Sequence, residues 1–552
     1  MIGVKANRED DAVIAEFFEL FKTPWEFWQP EKKYEVLLIA GDSESEENTN
    51  GLVLRYATSA TPWDQWKRIP ADIKGSGRYL NYKGTQFPIY GNVHTFAGNC
   101  AADLIDEETH RPLLLDGLQK GNRSISIGYD LFNEVRTLLT QGQPTSNAAI
   151  PTLEMHIALL RDLLVASGVR FIEIPPVPRG HSFIACLTHD IDHPRIRAYK
   201  WDHTIFGFVF RSTIGSLVEV ICGRMSLRNV VLNWSTALRL PFVLSGFAPD
   251  FWEGFAERYS KIEEGIPSTY FVIPFMGYAG RTVEGKASPL RSSKYGANDI
   301  AREMHEIVSK GNEVGLHGLD AWLDPESSQK ELNEIRAAGG TSVAGVRMHW
   351  LFFKEDSPAI MEAAGAEYDS TIGYRETVGF RSGTTQVFKP LSAKRLLELP
   401  LHVMDTALFY RAYLGLSHVG AIKRLSRMLD DLEKFGGCFT INWHDRSLAP
   451  ERNWEWSYRE IVKSLRERGA WFATARQAAG WFNARRSIVF DCNDAESIRR
   501  LGCRIAEPEI DRPGMQLRVY NLQDSSELGT EEFANAQKAS NGNAGFYRSH
   551  TY

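Results

Sequence analysis

Acidic and imidazole side chains follow several short apolar runs of the sequence, where they could bind a metal ion and move protons. One run ends in Thr188-His189-Asp190-Ile191-Asp192, a later one in His317, and another in His444-Asp445. Two carboxylates separated by one residue can take different roles, one facing a metal ion and the other free to accept a proton. Asp190 and Asp192 suit that division.

A carboxylate oxygen together with two imidazoles suits zinc or another divalent first-row metal, with one position left open for water. Water bound to such an ion is acidic enough to attack an amide near neutral pH. A histidine from a distant part of the chain could protonate the leaving amine, which is the complementary acid step. These residue types favour the metal-dependent hydrolysis of an amide.

Strands that alternate with helices must position these side chains, and the sequence has that pattern from residue 182 onward. Two amphipathic stretches, 299–310 and 421–435, end at Gly311 and Gly436, which suit left-handed helix caps. The candidate strands are 182–187, 268–273, 313–316, 344–348, 366–368, 397–401, 438–443 and 471–474. This alternation predicts a β/α barrel, and barrel enzymes carry their catalytic groups at the carboxyl ends of the strands.

The fold class predicted for the whole chain is α/β, a deformed (β/α) barrel with an N-terminal α/β domain and a short C-terminal extension. Residues 1–174 form the N-terminal accessory domain, because a buried strand-like run and an amphipathic stretch occur there. The proline-rich segment 175–181 is predicted to be a stiff linker. The barrel follows at 182–484, then an extension without helical period at 485–534 and a disordered tail at 535–552.

Composition excludes some partners and favours one compartment. The formal net charge of −6 and the absence of a basic stripe argue against nucleic acid as a partner. Six scattered cysteines without a C-x-x-C pair, and the lack of an apolar signal in the first eleven residues, predict a cytoplasmic location. Arg211 and Glu219 interrupt the apolar stretch 204–222, so no transmembrane segment is predicted.

The segment 202–251 is rich in aromatic and aliphatic side chains. Most of its aromatic residues are predicted to lie in the core. The alternative is an apolar lid, or a patch in peripheral contact with a membrane, near the mouth of the active site.

Six stretches occur in an order that resembles the polysaccharide deacetylases of carbohydrate esterase family 4, whose domain is a circularly deformed β/α barrel. They are T-H-D-I-D at 188–192, S-T-Y-F-V-I-P at 268–274, E-V-G-L-H-G at 313–318, G-V-R-M-H-W at 345–350, F-T-I-N-W-H at 439–444 and the closing strand and helix at 471–482. The order of the stretches carries the resemblance more than any single one, because each alone would suit an ordinary cap or ion pair.

The resemblance implies a role for each motif residue. It makes Asp190 the general base and Asp192 and His317 metal ligands. It also makes Arg347 the residue that orients the base, and His444 the general acid. Asp369 and Asp405 are candidate carboxylates for positioning Arg347 or a histidine.

One position departs from the family pattern. The usual second metal histidine, four residues after the first, is replaced here by Ala321. A less studied branch, with T-H-D-x-D in front and R-x-H in the third motif, looks closer to this chain and makes His349 the third ligand, with Asp320 as the rival. Strand alternation puts Arg347 and His349 on the same face, which favours His349.

The resemblance implies a metal-dependent N-deacetylase, a hydrolase of non-peptide carbon–nitrogen bonds, with zinc as the expected metal. Its substrate would be an acetylated glycan or sugar precursor, and the metal and a backbone N–H near Trp350 would stabilise the oxyanion. Two alternatives stay open: an amidase for non-sugar substrates on the same barrel, and a glycan-binding scaffold without turnover. The sequence leaves open the sugar, the metal used in the cell and the oligomeric state.

Overall fold

A computed structural model describes residues 1–41, 51–59, 71–74, 76–96, 103–119, 122–200, 202–223, 225–491 and 495–521. The chain divides into two compact units. One consists of Met1–Gly180, Ser382–Thr384 and Asn483–Tyr552, and the other of His181–Arg381 and Thr385–Phe482. The predicted disordered tail at 535–552 lies outside the described residues.

The first unit is an α/β unit built on a six-stranded mixed sheet. In spatial order its strands are Leu114–Gln119, Asn122–Ile127, Leu52–Tyr56, Val36–Ala40, Ile2–Lys5 and Trp25–Phe27. Smaller sheets pair Ala71–Lys74 with Val93–Phe96, and Arg78–Tyr82 with both Thr85–Ile89 and Leu104–Asp106. Its helices include Asp11–Phe21, Leu131–Thr140 and Thr152–Ala166. The last of these helices is followed by Gly168 at φ 73°, which suits a glycine after a helix end.

The described residues 495–521 belong to this same unit and contain a helix and a strand. The expectation that helical periodicity is lost beyond residue 485 is wrong, because Ala495–Ala506 forms a helix. The strand Arg518–Tyr520 pairs antiparallel with Phe171–Glu173. Tyr520 stacks on Phe171 with ring centroids 4.4 Å apart, so its contacts come from a part of the chain far away in sequence.

The second unit is a parallel sheet of nine strands, which confirms the predicted deformed β/α barrel. In chain order the barrel strands are Ile184–Ile191, Ser268–Val272, Glu313–Gly318, Gly345–Met348, Tyr368–Asp369, Leu397–Glu398, Leu401–Met404, Cys438–Asn442 and Trp471–Phe472. Ile184–Ile191 lies between Ser268–Val272 and Cys438–Asn442, and also pairs with Trp471–Phe472. Buried aliphatic and aromatic side chains from the strands and surrounding helices form one core.

The helices of this unit cover the sheet. They are Phe255–Glu263, Ala301–Ser309, Pro325–Gly339, Ser357–Ala363, Asp405–Phe409, His418–Phe435, Glu455–Glu467 and Ala475–Ser487. Gly311 and Gly436, after two of them, have φ near 80°. The predicted left-handed cap is wrong for Gly436, because its ψ of −161° lies outside the left-handed helical region.

Pro400 divides the predicted strand 397–401 into two. Leu397–Glu398 lies at one end of the strand order and Leu401–Met404 at the other. Proline has no N–H to donate to a ladder, whereas the neighbouring Leu399 and Leu401 donate to Asp369 and Ile372. The chain therefore passes from one sheet end to the other within a few residues, which brings the two ends of the sheet together.

The segment 202–251 forms the helices His203–Phe210, Arg211–Gly215 (a π-turn), Ser216–Ile221 and Leu227–Ser245. The prediction that its aromatic residues lie mostly in the core holds for Phe208 and Trp252, which are buried, but not for Phe206, Phe210 or Trp234, which are exposed. Among the described residues, the stretch His203–Ile221 is long and apolar enough to cross a membrane, a test that the core helix of a soluble protein also passes. Its side chains Thr204, Phe208, Ser212 and Ser216 are buried.

Candidate metal-binding active site

The predicted site residues gather at the carboxyl ends of adjacent barrel strands. Asp190 and Asp192 end the first strand, and His317 lies near the end of the third. Arg347 lies in the fourth strand, paired in register with His317, and His349 follows it. Neighbouring parallel strands end on the same side of a sheet, so these side chains meet although as many as 159 residues separate Thr188 from Arg347 in sequence.

Three side chains form a group that could hold a metal ion. The Nε2 atoms of His317 and His349 lie 3.4 and 3.6 Å from Oδ1 of Asp192. One ligand atom from each of the three residues lies within 4.8 Å of the others. A carboxylate with two imidazoles is a donor set for a divalent metal such as zinc.

The surroundings of these atoms fit such an ion. Oδ1 of Asp192 is buried and has no hydrogen-bond partner among the described residues. The Nδ1 of His317 lies 3.0 Å from the carbonyl oxygen of Arg347, and a proton there leaves the Nε2 lone pair free for a ligand bond. Burial lowers the pKa of His349 to about 3, so its imidazole is neutral, which is the form that binds metals.

Asp190 is fixed by two neighbours. Its Oδ1 accepts from the Arg347 guanidinium at 2.9 Å, and its Oδ2 accepts from Nδ2 of Asn442 at 2.6 Å. Burial raises the pKa of Asp190, but the charges of His317, Arg347 and His444 outweigh it and leave the pKa below its usual value. Asp190 is thus ionised and can accept a proton.

His444 lies opposite, held by Asp405. Its Nδ1 lies 2.6 Å from Oδ1 of Asp405, while its Nε2 lies 3.8 Å from Oδ2 of Asp192. Burial lowers the pKa of His444, but Asp405, Asp192 and Asp190 outweigh it and raise the pKa to about 10. A protonated imidazole at this place can donate a proton to a leaving nitrogen.

Three other predicted residues take different places. Asp320 accepts from the backbone N–H of Arg281 at 2.6 Å and from its Nε at 3.1 Å, so it is engaged outside the histidine group. Asp369 accepts from Thr371 and does not hold Arg347, which donates from Nε to the carbonyl oxygen of Ser370 instead. Trp350 lines the mouth of the site with φ at 66°, an uncommon backbone conformation outside glycine.

Some residues of the site were not predicted from the sequence. Asn442 holds both the side chain and the backbone N–H of Asp190, and Thr188 accepts from Arg347 at 2.7 Å. Both share a strand face with a predicted residue, Asn442 two positions before His444 and Thr188 two before Asp190. The period of two along a strand could have indicated them.

The site opens into a cleft of about 770 Å³. His203, Thr204, Gly207 and Arg211 of the segment 202–251 form part of its wall. Tyr410, Arg446, Arg452 and Trp454 also line the cleft. It is large enough to hold a small organic molecule next to the histidine group.

No family model matches this sequence, and no curated protein sequence matches it. A Mycobacterium smegmatis protein assigned to the polysaccharide deacetylases is similar in structure, with 17% identity, a TM-score of 0.36, and coverage of 58% of this chain and 99% of that one. The Puue allantoinase has 13% identity and a TM-score of 0.35, and the match covers 56% of this chain and 93% of that one. A Pseudomonas aeruginosa PAO1 protein, also assigned to the polysaccharide deacetylases, has 15% identity and a TM-score of 0.34. The match covers 56% of this chain and 94% of that one.

These similarities carry no conclusion about the reaction, because the identities and TM-scores are low. The fold stands on the parallel strand order, and the candidate site on the distances among Asp192, His317 and His349. Polysaccharide deacetylases are among the solved structures that this chain is similar to.

Proposed function

We propose that this protein is a metal-dependent hydrolase that removes an N-acetyl group from an amino sugar in a glycan or glycan precursor. The observation that carries the proposal is the convergence of Asp192, His317 and His349, with Asp190 lying 3.7 Å from His317 Nε2 and His444 lying 3.8 Å from Asp192. A divalent metal, with zinc as the first candidate, would supply a Lewis acid and a more acidic water when bound there. Asp192, His317 and His349 would hold it.

The chain's own residues supply the proton transfers. Asp190, oriented by Arg347 and Asn442, accepts the proton from the attacking water. His444, oriented by Asp405, gives its Nε2 proton to the departing nitrogen as the carbon–nitrogen bond breaks. Each positioned acid or base contributes about 10²- to 10⁴-fold to such a rate. The products are acetate and a free amine.

Residues at the mouth of the site would bind the substrate and stabilise the oxyanion. The backbone N–H of Trp350 stays a candidate donor for the oxyanion, because Trp350 follows His349 directly and lines the cleft. The part of the cleft away from the histidines would take the sugar and whatever the sugar is attached to. We keep the cytoplasmic location as a prediction.

An acetate-release assay tests the proposal. The purified protein, stripped of metal with a chelator and reloaded with zinc, is offered a panel of N-acetylated sugars, glycans, sugar phosphates and non-sugar amides. We expect zinc-dependent acetate release that is absent from Asp190→Asn. Cleavage of non-sugar amides alone would favour the non-sugar amidase. Glycan binding without metal or turnover would favour the scaffold.

A further inference from the structure

Arginine lines the cleft at six described positions, although the whole chain is acidic. They are Arg211, Arg291, Arg375, Arg411, Arg446 and Arg452. Arg411 forms an ion pair with Glu219, Arg291 donates to backbone carbonyls, and Arg375 lies over the Trp350 ring. Of the other three, Arg446 and Arg452 lie beside aromatic rings, and Arg211 has a buried Nε without a partner among the described residues.

Arg211, Arg446 and Arg452 come from two distant segments and meet on one wall of the cleft. The Arg446 guanidinium lies 5.7 Å from the Trp252 ring centroid. That of Arg452 lies 4.9 and 5.1 Å from the rings of Tyr410 and Trp454. Among the described residues, the Nε atoms of Arg211 and Arg452 are buried without a hydrogen-bond partner.

Burial lowers the pKa of Arg211, to about 9, and that of Arg452, and the charge of Arg446 lowers both further. Burial also opposes the charge of Arg446, but Tyr410, Asp445, Asp192 and Glu451 outweigh it and raise the pKa of Arg446. The nearby Glu451 carboxylate has its Oε1 bound to Nε1 of Trp252. Like charges are unfavourable when they are removed from water together, unless an opposite charge binds them.

We propose that Arg211, Arg446 and Arg452 form a subsite for a phosphate or diphosphate group on the substrate. Guanidinium groups bind phosphate oxygens through paired, charge-assisted hydrogen bonds, and the buried Nε atoms of Arg211 and Arg452 have no partner among the described residues. Together with the proposed function, on which this step rests, the subsite implies that the substrate is a phosphate ester of an N-acetylated sugar. The ester could be a nucleoside-diphosphate sugar or a sugar on a lipid diphosphate.

Binding of inorganic pyrophosphate tests the subsite without any hydrolysis. Calorimetry on the metal-loaded protein should show binding that weakens at least about tenfold in Arg446→Gln and in Arg452→Gln. Arg459→Gln is the matched control, because that arginine is exposed and paired with Glu455 within a helix. If pyrophosphate does not bind, or binds both variants as tightly as the unchanged protein, the subsite does not exist. Arg211→Gln provides a third variant if one of the others fails to fold.

Hydrolysis then separates the two sources of phosphate. Acetate release is compared for an N-acetylhexosamine, its nucleoside-diphosphate form and a short isoprenoid-diphosphate form. A preference for either diphosphate supports the subsite and names the source. Equal rates with the phosphate-free sugar would contradict it. A protein that binds pyrophosphate through these arginines but hydrolyses none of the three would contradict the proposed function instead.

A separate observation concerns the outer face of the segment 203–247, which carries two rows of exposed apolar side chains. One row is Phe206, Phe210, Ile214, Leu217 and Ile221, and the other is Leu227, Val231, Trp234, Leu238 and Phe242. Steps of three or four residues place each row on one side of its helix. Leu227, Leu238 and Phe242 expose 71, 77 and 59% of their surface. Contiguous apolar surface of this kind marks an interaction site in soluble proteins.

The inner face of the same segment is fixed to its unit. Phe208, Leu240 and Val243 are buried in a cluster with Tyr199 and Trp252. Ser212 and Ser216, also on the inner side, are buried, and the Ser216 hydroxyl donates to the backbone carbonyl oxygen of Ser212 at 3.0 Å. The inner face mixes small polar residues with apolar ones, whereas the outer face carries large apolar side chains. The segment is therefore packed against its unit along this inner face.

The charges around the apolar rows indicate what could cover them. Leu227–Ser245 contains no acidic residue and carries exposed Arg228 and Arg239. The acidic residue of the preceding helices, Glu219, is neutralised by Arg411. Apolar side chains flanked by arginine suit the surface of an anionic bilayer, where the apolar groups enter the headgroup region and the arginines meet lipid phosphates.

We infer that the outer face of residues 203–247 rests on an anionic lipid surface, with the cleft opening beside it. This inference does not depend on hydrolysis. Sedimentation with phosphatidylcholine vesicles, with and without phosphatidylglycerol, measures it. We expect the protein to bind the vesicles that contain phosphatidylglycerol, and the double variant Leu238→Glu, Phe242→Glu to bind them at least about tenfold more weakly.

The control variant is Val419→Glu, which places one such negative charge on a comparably exposed apolar residue of another helix. It should bind vesicles like the unchanged protein. Equal binding by the double variant would show that another surface meets the lipid. If the unchanged protein ignores vesicles and is a dimer that the double variant converts to monomers, a second copy covers the face and the inference is wrong.

Discussion

The Asp405 carboxylate holds His444 at two points. Its Oδ1 lies 2.6 Å from the imidazole Nδ1, and its Oδ2 accepts the backbone N–H of His444 at 2.7 Å. The hydroxyl of Ser447 donates to the same Oδ2. The backbone N–H of Thr406 donates to Oδ1 as well. With four donors on a fully buried carboxylate, the imidazole of His444 has one orientation, and its Nε2 faces Asp192.

Replacement of Asp405 by asparagine should therefore impair the acid step. Asparagine keeps the size of the side chain but cannot stabilise the imidazolium, so we expect kcat to fall about 10²- to 10⁴-fold with metal content unchanged. Steady-state kinetics with elemental analysis measures both. Asp369→Asn is the comparison, since Asp369 binds Thr371 and not a site residue. Equal losses in the two variants would contradict the positioning role of Asp405.

Asp190→Asn should keep the metal and lose hydrolysis. A neutral amide cannot accept the proton of the attacking water, while Asp192, His317 and His349 remain intact. Acetate release per mole of protein and bound zinc are the two measurements. Loss of the metal, or near-normal turnover, would show that the roles of the two aspartates are wrong or exchanged.

His349→Ala should weaken zinc binding by at least about tenfold, because it leaves one carboxylate and one imidazole for the ion. Asp320→Asn should leave zinc binding unchanged, since its carboxylate is occupied by Arg281. Competition with a chromogenic chelator measures both affinities. The reverse result, with the metal lost in Asp320→Asn and kept in His349→Ala, would make Asp320 the third ligand.

Shortening the chain tests the proposed domain boundary. A chain that begins at Pro178 lacks Phe171–Glu173, so Arg518–Tyr520 loses its strand partner and buried Arg485 loses the carbonyl oxygens of Ile174 and Leu20. We expect it to be less soluble than a chain of residues 181–482, with the zinc content of both unchanged. Soluble yield and elemental analysis measure this. Loss of zinc from both would show that the first unit supplies a ligand.

The free energy of unfolding should depend on pH through Glu331, which binds the loop after His317. Its carboxylate accepts the backbone N–H groups of Leu319 and Asp320 at 2.9 and 2.7 Å, and burial raises its pKa from 4.5 to about 7. Between pH 4.5 and about 7, the Glu331 carboxyl has lost its proton in the unfolded chain but retains it in the folded protein. The free energy of unfolding therefore falls as the pH rises from 4.5 to about 7, by roughly 3 kcal/mol at most.

Glu331→Gln removes that ionisation. Urea unfolding at several pH values should show the stability advantage of the unchanged protein over Glu331→Gln shrinking as the pH rises through this interval. A difference that stays constant with pH would mean that Glu331 titrates normally in the folded protein.

The sequence by itself determined which residues could share a face. Strand periodicity pairs Asp190 with Asp192, and Arg347 with His349, because alternate side chains of any strand point the same way. The order of apolar runs and glycine caps likewise predicted the barrel, since both are local features of the sequence.

Tertiary structure decided which of these residues meet. Asp405 rather than Asp369 holds the histidine, and Asp320 turns to Arg281, because closure of the barrel through Pro400 and the loop after Gly318 set those distances. The period of a helix also cannot say which face looks outward, so only the packing of Phe208 and Val243 on Trp252 revealed that the large apolar side chains of 203–247 point away from the unit. Such contacts join residues far apart in sequence, and no local pattern specifies them.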